Sequence, residues 1–372
     1  MLALKLKELV LRNYRNYENL ELSFDSDLVI FAGKNAQGKT NILEAIFLSC
    51  TGRSHKTSKD RELIKWGKGE AFVRTRVLRQ QGIREISIGL FANEKKKVFI
   101  NRNPVSRIGE LMGHLNSVLF SPDDMKLIRE GPSERRRFMD MELSQVQPAY
   151  FYYLQQYNRV LNQRNKLLKE IQKKPSLIST LSVWDEQLAD AGSYIILQRK
   201  LLCDSLQIIA QEIHHRITQG AEKMLIIYKP SVSFNNADRK EVKKNFLREL
   251  EIRRTYDLER GITSKGCHRD DLLFQINGMD VRTYGSQGQM RTIVLSLKLS
   301  ELEFMFRETG EYPLLLLDDA MSELDPIRQQ MVLEYIGKAQ TFITLTDMGQ
   351  IPAFEKKNMQ VFIIEAGKAS PC

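Results

Sequence analysis

Apolar and charged residues alternate at the start of the chain. Met1-Leu-Ala-Leu-Lys-Leu-Lys-Glu-Leu sets Leu4 and Leu6, then Leu9 and Leu11, at spacings that predict short amphipathic strands, not the apolar core of a signal peptide. Leu28-Val-Ile-Phe-Ala is instead a continuous apolar run ending at Gly33, the pattern of a strand covered on both faces. Ile42, Leu43, Ile46 and Phe47 then recur at helical spacing, which gives the order strand, glycine loop, helix.

From Ala71 to Asn101 the period becomes two. Phe72–Leu78, Ile83–Leu90 and Lys97–Asn101 are separated by Gln81-Gly82 and by Asn93-Glu-Lys-Lys, and read as an antiparallel meander. Between Pro122 and Ile217 the period is helical. Tyr150, Leu154, Tyr157, Leu161, Leu168 and Ile171 line one face of a helix whose flanks and outer side carry Arg159, Arg164, Lys166 and Lys169. A second helix runs through Ile195, Leu202, Leu206, Ile209, Ile213 and Ile217, too short a heptad pattern for a long coiled-coil arm. Met224–Tyr228 reads as a strand, Phe246, Leu250 and Ile252 as a helix, and the segment around Leu272–Gly278 as an antiparallel pair. A helix from Gln287 to Phe306, the buried strand Leu314–Leu317, and alternation over Thr341–Thr346 and Val361–Ile364 complete the pattern.

The fold class implied is α/β, a mixed sheet plus an antiparallel β-subdomain with an inserted α-helical lobe. Lobe I would take residues 1–121 and 223–372, and lobe II residues 122–222. No internal repeat or low-complexity tract interrupts this.

Composition changes the picture little. A length of 372 residues with 42% hydrophobic and 27% charged positions is that of a globular protein of two or three domains. No apolar stretch reaches the roughly 18 to 20 residues that cross a bilayer, so no membrane role and a cytoplasmic location are expected. Cys50, Cys203, Cys267 and Cys372 are scattered without metal or disulfide spacing, and the adjacent His214 and His215 have no third ligand nearby in sequence; reduced structural thiols are the better reading. The net charge of +10 favours a polyanionic partner such as DNA or RNA, although solubility alone would explain it.

Chemistry enters with Gly33-Lys34-Asn35-Ala36-Gln37-Gly38-Lys39-Thr40, which fits G-x-x-x-x-G-K-[ST] in the confirming place, after a buried strand and before a helix. Glycines permit the turn, backbone N–H groups converge on phosphate oxygens, and the helix end is positive. Lys39 adds a point charge for the β- and γ-phosphates, and the Thr40 hydroxyl can hold Mg²⁺. Leu314-Leu-Leu-Leu-Asp318-Asp319 delivers carboxylates to a sheet edge, Asp318 for Mg²⁺ through water and Asp319 to orient or deprotonate an attacking water. Tyr284-Gly-Ser286-Gln287-Gly288-Gln289 precedes a helix and is either a phosphate-seeking nest or an ordinary N-cap; Ser322-Glu-Leu-Asp325 follows the aspartates.

This order of motifs resembles ABC-type P-loop ATPase heads of the SMC group. Finer motifs narrow the resemblance: Leu11-Arg-Asn-Tyr-Arg-Asn-Tyr17, Gly52-Arg-Ser-His-Lys-Thr57, Phe120-Ser-Pro-Asp-Asp124, Gly131-Pro-Ser-Glu-Arg-Arg136, Gly266-Cys-His-Arg-Asp-Asp271 and Ser286–Gln289 are similar to those of the RecF recombination-mediator family, over essentially the whole chain. Lys56 stands where that family usually has Arg, and Cys267 where it has Pro. No glutamine marks a Q-loop near Ser121-Pro-Asp-Asp, no histidine marks a switch near Thr346-Asp347, and Asp319 replaces the Glu of SMC heads.

The resemblance implies ATP and Mg²⁺ as cofactors. Arg15 would be a nucleotide contact, and Ser286, Gln287, Gly288 and Gln289 a signature turn acting in trans, with Ser322 and Asp325 in the D-loop. It implies an ATP-dependent homodimer on DNA at gaps and single/double-strand junctions, with slow, switch-like ATP hydrolysis for release. RecR and RecO would be partners in RecA loading during DNA repair, replication and the SOS response. Arg74, Arg76, Lys95, Lys96, Lys97, Arg102, Arg135 and Arg136 are candidate DNA contacts, against the alternative of a solvated face. A non-catalytic module in which ATP cements a dimer, and a transporter or nuclease head, remain alternatives.

Overall fold

A computed structural model describes residues 4–346 and 359–372. Within them the chain forms two compact units, Met1–Met125 with Val294–Cys372, and Lys126–Ile293.

In the first unit, the alternating N-terminal residues form a hairpin of β1 (Lys5–Tyr14) and β2 (Tyr17–Ser23), and the apolar run forms β3 (Leu28–Ala32), all five of whose residues are buried. The period-two region forms β4 (Glu70–Arg79), β5 (Gly82–Phe91), β6 (Lys97–Ile100) and β7 (Asn103–Val105), followed by β8 (Ser117–Phe120). The strands β9 (Met224–Lys229), β10 (Asp271–Ile276) and β11 (Met279–Asp280) belong to the second unit. The chain returns to the first with β12 (Leu314–Asp318), β13 (Thr341–Leu345), β14 (Met359–Glu365) and β15 (Lys368–Pro371).

The expected meander is present and extends into the first hairpin, giving an antiparallel sheet in the order β2-β1-β4-β5-β6-β7. The other sheet runs β15-β14-β3-β13-β12-β8 and is parallel from β14 to β8. Its register sets Leu28 opposite Thr341 on one side and Met359 on the other, so β3 is hydrogen-bonded on both edges by strands from near the C-terminus. Phe24 packs edge-on against Phe342 at 5.0 Å and against Phe362 at 6.2 Å, sealing these strands with an aromatic cluster. Gln340 reaches back to accept from the Leu6 amide at 2.6 Å.

The second unit is built on the helices Pro132–Val146, Pro148–Ile171 and Leu181–Ile217. Ile195, Leu202, Leu206, Ile209, Ile213 and Ile217 are all buried, as their spacing predicts. Lobe II was expected over 122–222, but the compact unit reaches Ile293. The reason is that β9 pairs with β10 in full register, and Gln207 of the long helix donates to the Met224 carbonyl, so this three-stranded sheet completes the helical unit. Arg164, expected on a helix flank, is fully buried, donating to Asp185 at 2.7 Å and Asp257 at 2.8 Å.

Candidate functional site

The glycine loop follows β3 directly and ends at the helix Lys39–Thr51. Gly38 takes φ +114° immediately before that helix, and a Cβ there would lie 2.4 Å from the Asn16 side chain, so only glycine fits. The β1–β2 turn clamps the loop: Asn16 donates to the Gln37 carbonyl at 2.9 Å and Tyr17 to the Gly38 carbonyl at 3.0 Å. From the other side the Ala366 amide donates to Gln37 at 2.7 Å. The motif around Arg12–Tyr17, quoted above only as a resemblance, thus holds the loop in place.

Lys39 lies along its own loop and donates to the carbonyls of Gly33 at 2.6 Å and Lys34 at 2.9 Å. Burial lowers its pKa, while Asp319 and Asp318 oppose the shift. An incoming phosphate would offer that ammonium better acceptors than two neutral carbonyls.

Thr40 and Asp318, 278 positions apart, meet: the Thr40 hydroxyl donates to Asp318 Oδ1 at 2.7 Å. The Thr344 hydroxyl donates to the same oxygen at 3.0 Å and accepts from the Asp319 amide at 2.9 Å, which fixes the end of β12. Asp319 follows in the left-handed region at φ +50°. Burial first, and then the neighbouring Asp318 charge, raises the Asp319 carboxyl pKa. A hydroxyl and a carboxylate at hydrogen-bond distance are hard oxygen donors of the type Mg²⁺ takes beside substrate phosphates, so the residues present fit that ion.

Arg15 sits at the turn in the left-handed region, φ +51°, and its guanidinium forms a two-pronged pair with the fully buried Glu44 at 2.6 and 2.8 Å. Burial would raise the Glu44 pKa, but hydrogen bonds from Arg15 and Ser54 outweigh it and hold the carboxyl below its usual range. Glu44 escaped the sequence reading; its only signal is a carboxylate inside the apolar run Ile42–Phe47.

The second unit carries Ser286, Gln287, Gly288 and Gln289. Gln289 N donates to Ser286 Oγ at 3.1 Å, and Ser286 N to Gln289 Oε1 at 2.9 Å, a reciprocal capping box opening the helix Gln287–Thr309. Ser286, Gln287 and Gly288 are exposed. In the first unit, Ser322 lies on the short turn Ala320–Glu323, and Asp325 caps the helix Pro326–Ile336 by accepting from Arg328 N at 3.0 Å. Of the switch-loop residues, Asp347 lies outside the described residues.

The proposed DNA cations do not form one set. Arg135 is 2% exposed and pairs with Asp271 at 2.7 Å, so it is a structural cation and not a DNA contact. Arg136, half-buried, donates to the Asp270 carbonyl at 2.8 Å. Lys96 is held by the Gly52 carbonyl at 2.6 Å and Asp60 at 3.1 Å, and the side chain is 11% exposed, which withdraws it from a phosphate backbone. Arg74 and Arg76 share Glu8 at 2.6 and 3.5 Å, and Lys97 pairs with Glu94. Lys95 and Arg102 are exposed.

The motif Gly266–Asp271 is likewise structural in its placement. Asp270, fully buried, accepts from Arg199 at 2.9 Å, the Tyr228 hydroxyl at 2.5 Å and the Ser231 amide at 2.8 Å. His268 donates from Nε2 to the Thr263 carbonyl at 3.0 Å and accepts at Nδ1 from Tyr157 at 2.7 Å.

Residues 5–369 match the family model described as the RecF/RecN/SMC N terminal domain. The chain is 46% identical over 363 residues to the DNA replication and repair protein RecF of Alkaliphilus oremlandii, covering 97% of this chain and 99% of that protein. It is 47% identical over 364 residues to that of Acetivibrio thermocellus, with 97% and 98% covered. A solved structure of the recombination mediator protein RecF with ATP in the RecFOR pathway superimposes with a TM-score of 0.93 at 37% identity, covering 100% of this chain and 98% of that one. An Smc head domain from Pyrococcus furiosus shares the fold at a TM-score of 0.56 and 14% identity, with 99% and 96% covered. Among the described residues, no helix is long and apolar enough to cross a membrane.

Proposed function

The chain belongs to the RecF family of DNA replication and repair proteins, and from that premise we propose that it is an ATP-driven DNA clamp. ATP binds at Gly33–Thr40 and closes two copies into a dimer on DNA at gaps or single/double-strand junctions. Slow hydrolysis then releases it. The observation that carries this reading is the 2.7 Å hydrogen bond between Thr40 and Asp318, which brings a phosphate-loop hydroxyl and a strand-end carboxylate to one point.

In this mechanism the loop amides and Lys39 receive the phosphates, with Lys39 exchanging its loop carbonyls for phosphate oxygens. Thr40 and Asp318 would hold Mg²⁺, which would supply charge neutralisation on those oxygens. Asp319, next along the chain from Asp318 at the end of β12, is the carboxylate placed to orient the attacking water and take its proton. The exposed Ser286, Gln287 and Gly288 of a second copy offer the positive end of the helix Gln287–Thr309 to the γ-phosphate, a contact available only with a triphosphate. That differential shifts monomer toward dimer.

By family, RecR and RecO are the partners and RecA loading the outcome, in the cytoplasm. The remaining exposed cations, Lys95 and Arg102, with the half-paired Arg74, Arg76, Lys97 and Arg136, are the DNA contacts of this reading.

Sedimentation with ATP, ADP and gapped DNA tests it. Lys39→Ala abolishes nucleotide binding, whereas Ser286→Arg binds ATP but stays monomeric. Normal ATP-dependent dimerisation of the Ser286→Arg protein would defeat the shared-site reading.

A further inference from the structure

Trp66 is 98% exposed, the most exposed large apolar side chain among the described residues. Exposure of a whole indole is costly and marks a contact surface more often than a scattered leucine does. It does not ride on a loose loop. The Lys65 amide donates to the Asn13 carbonyl at 2.7 Å, the Lys68 amide to the Lys65 carbonyl at 3.0 Å, and Gly67 takes φ +80° to close the turn. Tyr14 and Ile64 bridge just before it, so the backbone that carries the indole is fixed beside the β1–β2 turn.

That turn is the one whose Asn16 and Tyr17 clamp the phosphate loop. A cleft of about 930 Å³ is lined by Arg15, Asn16 and Asn41 together with Ile64, Lys65 and Trp66. Asn41 belongs to the first turn of the helix that follows the loop, and it donates to Asn16 at 2.8 Å. The cleft therefore opens directly beside the place where phosphates would sit. Arg15 lines it, but its guanidinium is already held by Glu44 and by the Glu62 carbonyl at 2.8 Å. The flat π-face on offer is that of Trp66.

We infer that Trp66 is the platform on which the purine base of the bound nucleotide stacks. This rests on the reading that the phosphates occupy Gly33–Thr40. Stacking on an aromatic face tolerates any base, so the residue sets affinity for nucleosides over bare phosphates and does not choose adenine over guanine.

The chain has two tryptophans, Trp66 and Trp184, so a Trp184→Phe protein reports on Trp66 by its emission. ATP and ADP quench that emission, and inorganic tripolyphosphate does not. By equilibrium dialysis, Trp66→Ala weakens ATP binding roughly 5- to 150-fold, the range expected of one stacked base. The same change leaves tripolyphosphate binding as in the wild type, and Trp66→Phe recovers most of the loss. Unchanged ATP affinity in Trp66→Ala would overturn the assignment while leaving the phosphate-loop reading intact. So would quenching by a single-stranded oligonucleotide with none by ATP, which would give the indole to DNA. Failure of the wild type itself to bind ATP would instead remove the reading beneath it.

Discussion

Arg199 is the cation on which the second unit's polar core depends. It is 2% exposed and donates to Asp140 at 2.8 Å, Asp270 at 2.9 Å and the Cys267 carbonyl at 2.6 Å. Arg199→Met keeps the apolar stem and roughly the volume, so little cavity forms. What remains is a fully buried Asp270 carboxylate that keeps Tyr228 and Ser231 but loses its counter-charge. Removing one member of such a pair costs about 3–5 kcal/mol. For a unit of this size each kcal/mol is worth about 2–4 °C, so the melting transition should fall by roughly 6–20 °C. Differential scanning calorimetry measures this, with urea unfolding as a second readout. Asp270→Asn in the Arg199→Met background removes the orphaned charge and should recover part of the loss. If Arg199→Met melts within about 1 kcal/mol of wild type, the buried network does not hold the Gly266–Asp271 loop, and the physical reading of that motif fails.

Asp319→Asn should retain ATP binding and ATP-dependent dimerisation while steady-state phosphate release falls by about 10²-fold or more, as expected when a general base is lost. Unchanged turnover would favour ATP as a mere cement. His268 carries a pH dependence. Burial lowers its pKa from 6.5 to about 4, aided by the charges of Arg269, Arg136 and Arg199 and opposed by the hydrogen bond to the Thr263 carbonyl. A depressed histidine contributes stability that is complete above pH 6.5. It is lost as pH falls toward 4, where the unfolded chain takes up a proton that the folded one refuses, to a limit of roughly 3 kcal/mol. His268→Gln should flatten urea-derived stability across that window, and an unaltered slope would assign the effect elsewhere. Reversing the exposed cations, as in Lys95→Glu with Arg102→Glu, should lower DNA affinity and reduce the salt slope by about one to two. An unchanged slope in filter-binding titrations would exclude both residues from the interface.

The parts of the site legible in the sequence are those whose chemistry demands contiguous residues. A phosphate loop needs its glycines, lysine and threonine in one short run, and a strand that ends in aspartate announces itself by its apolar approach. Arg135, Arg164 and Lys96 were not legible, because a cation at helical or turn spacing reads as surface until its partner is known. Their partners are far off in sequence: Asp271 lies 136 positions from Arg135, and Asp257 lies 93 from Arg164. Glu44 was hidden for the same reason, its partner Arg15 being on another element. The extent of the second compact unit was hidden differently. Strands look alike whichever unit they complete, and only the pairing of β9 with β10 assigns them to the helices.

The position of β3 between β13 and β14 has a consequence for how the protein is made. Leaving the ribosome, the phosphate-loop strand has neither edge partner, whereas β4, β5 and β6 can pair with their neighbours at once. At about 5–20 residues per second, roughly 15–60 s separate synthesis of β3 from that of β13. During that interval an apolar strand stands open at both margins, a hazard for the nascent chain. A polypeptide cut short before Leu314 would carry every residue of the loop and yet have no strand to seat it.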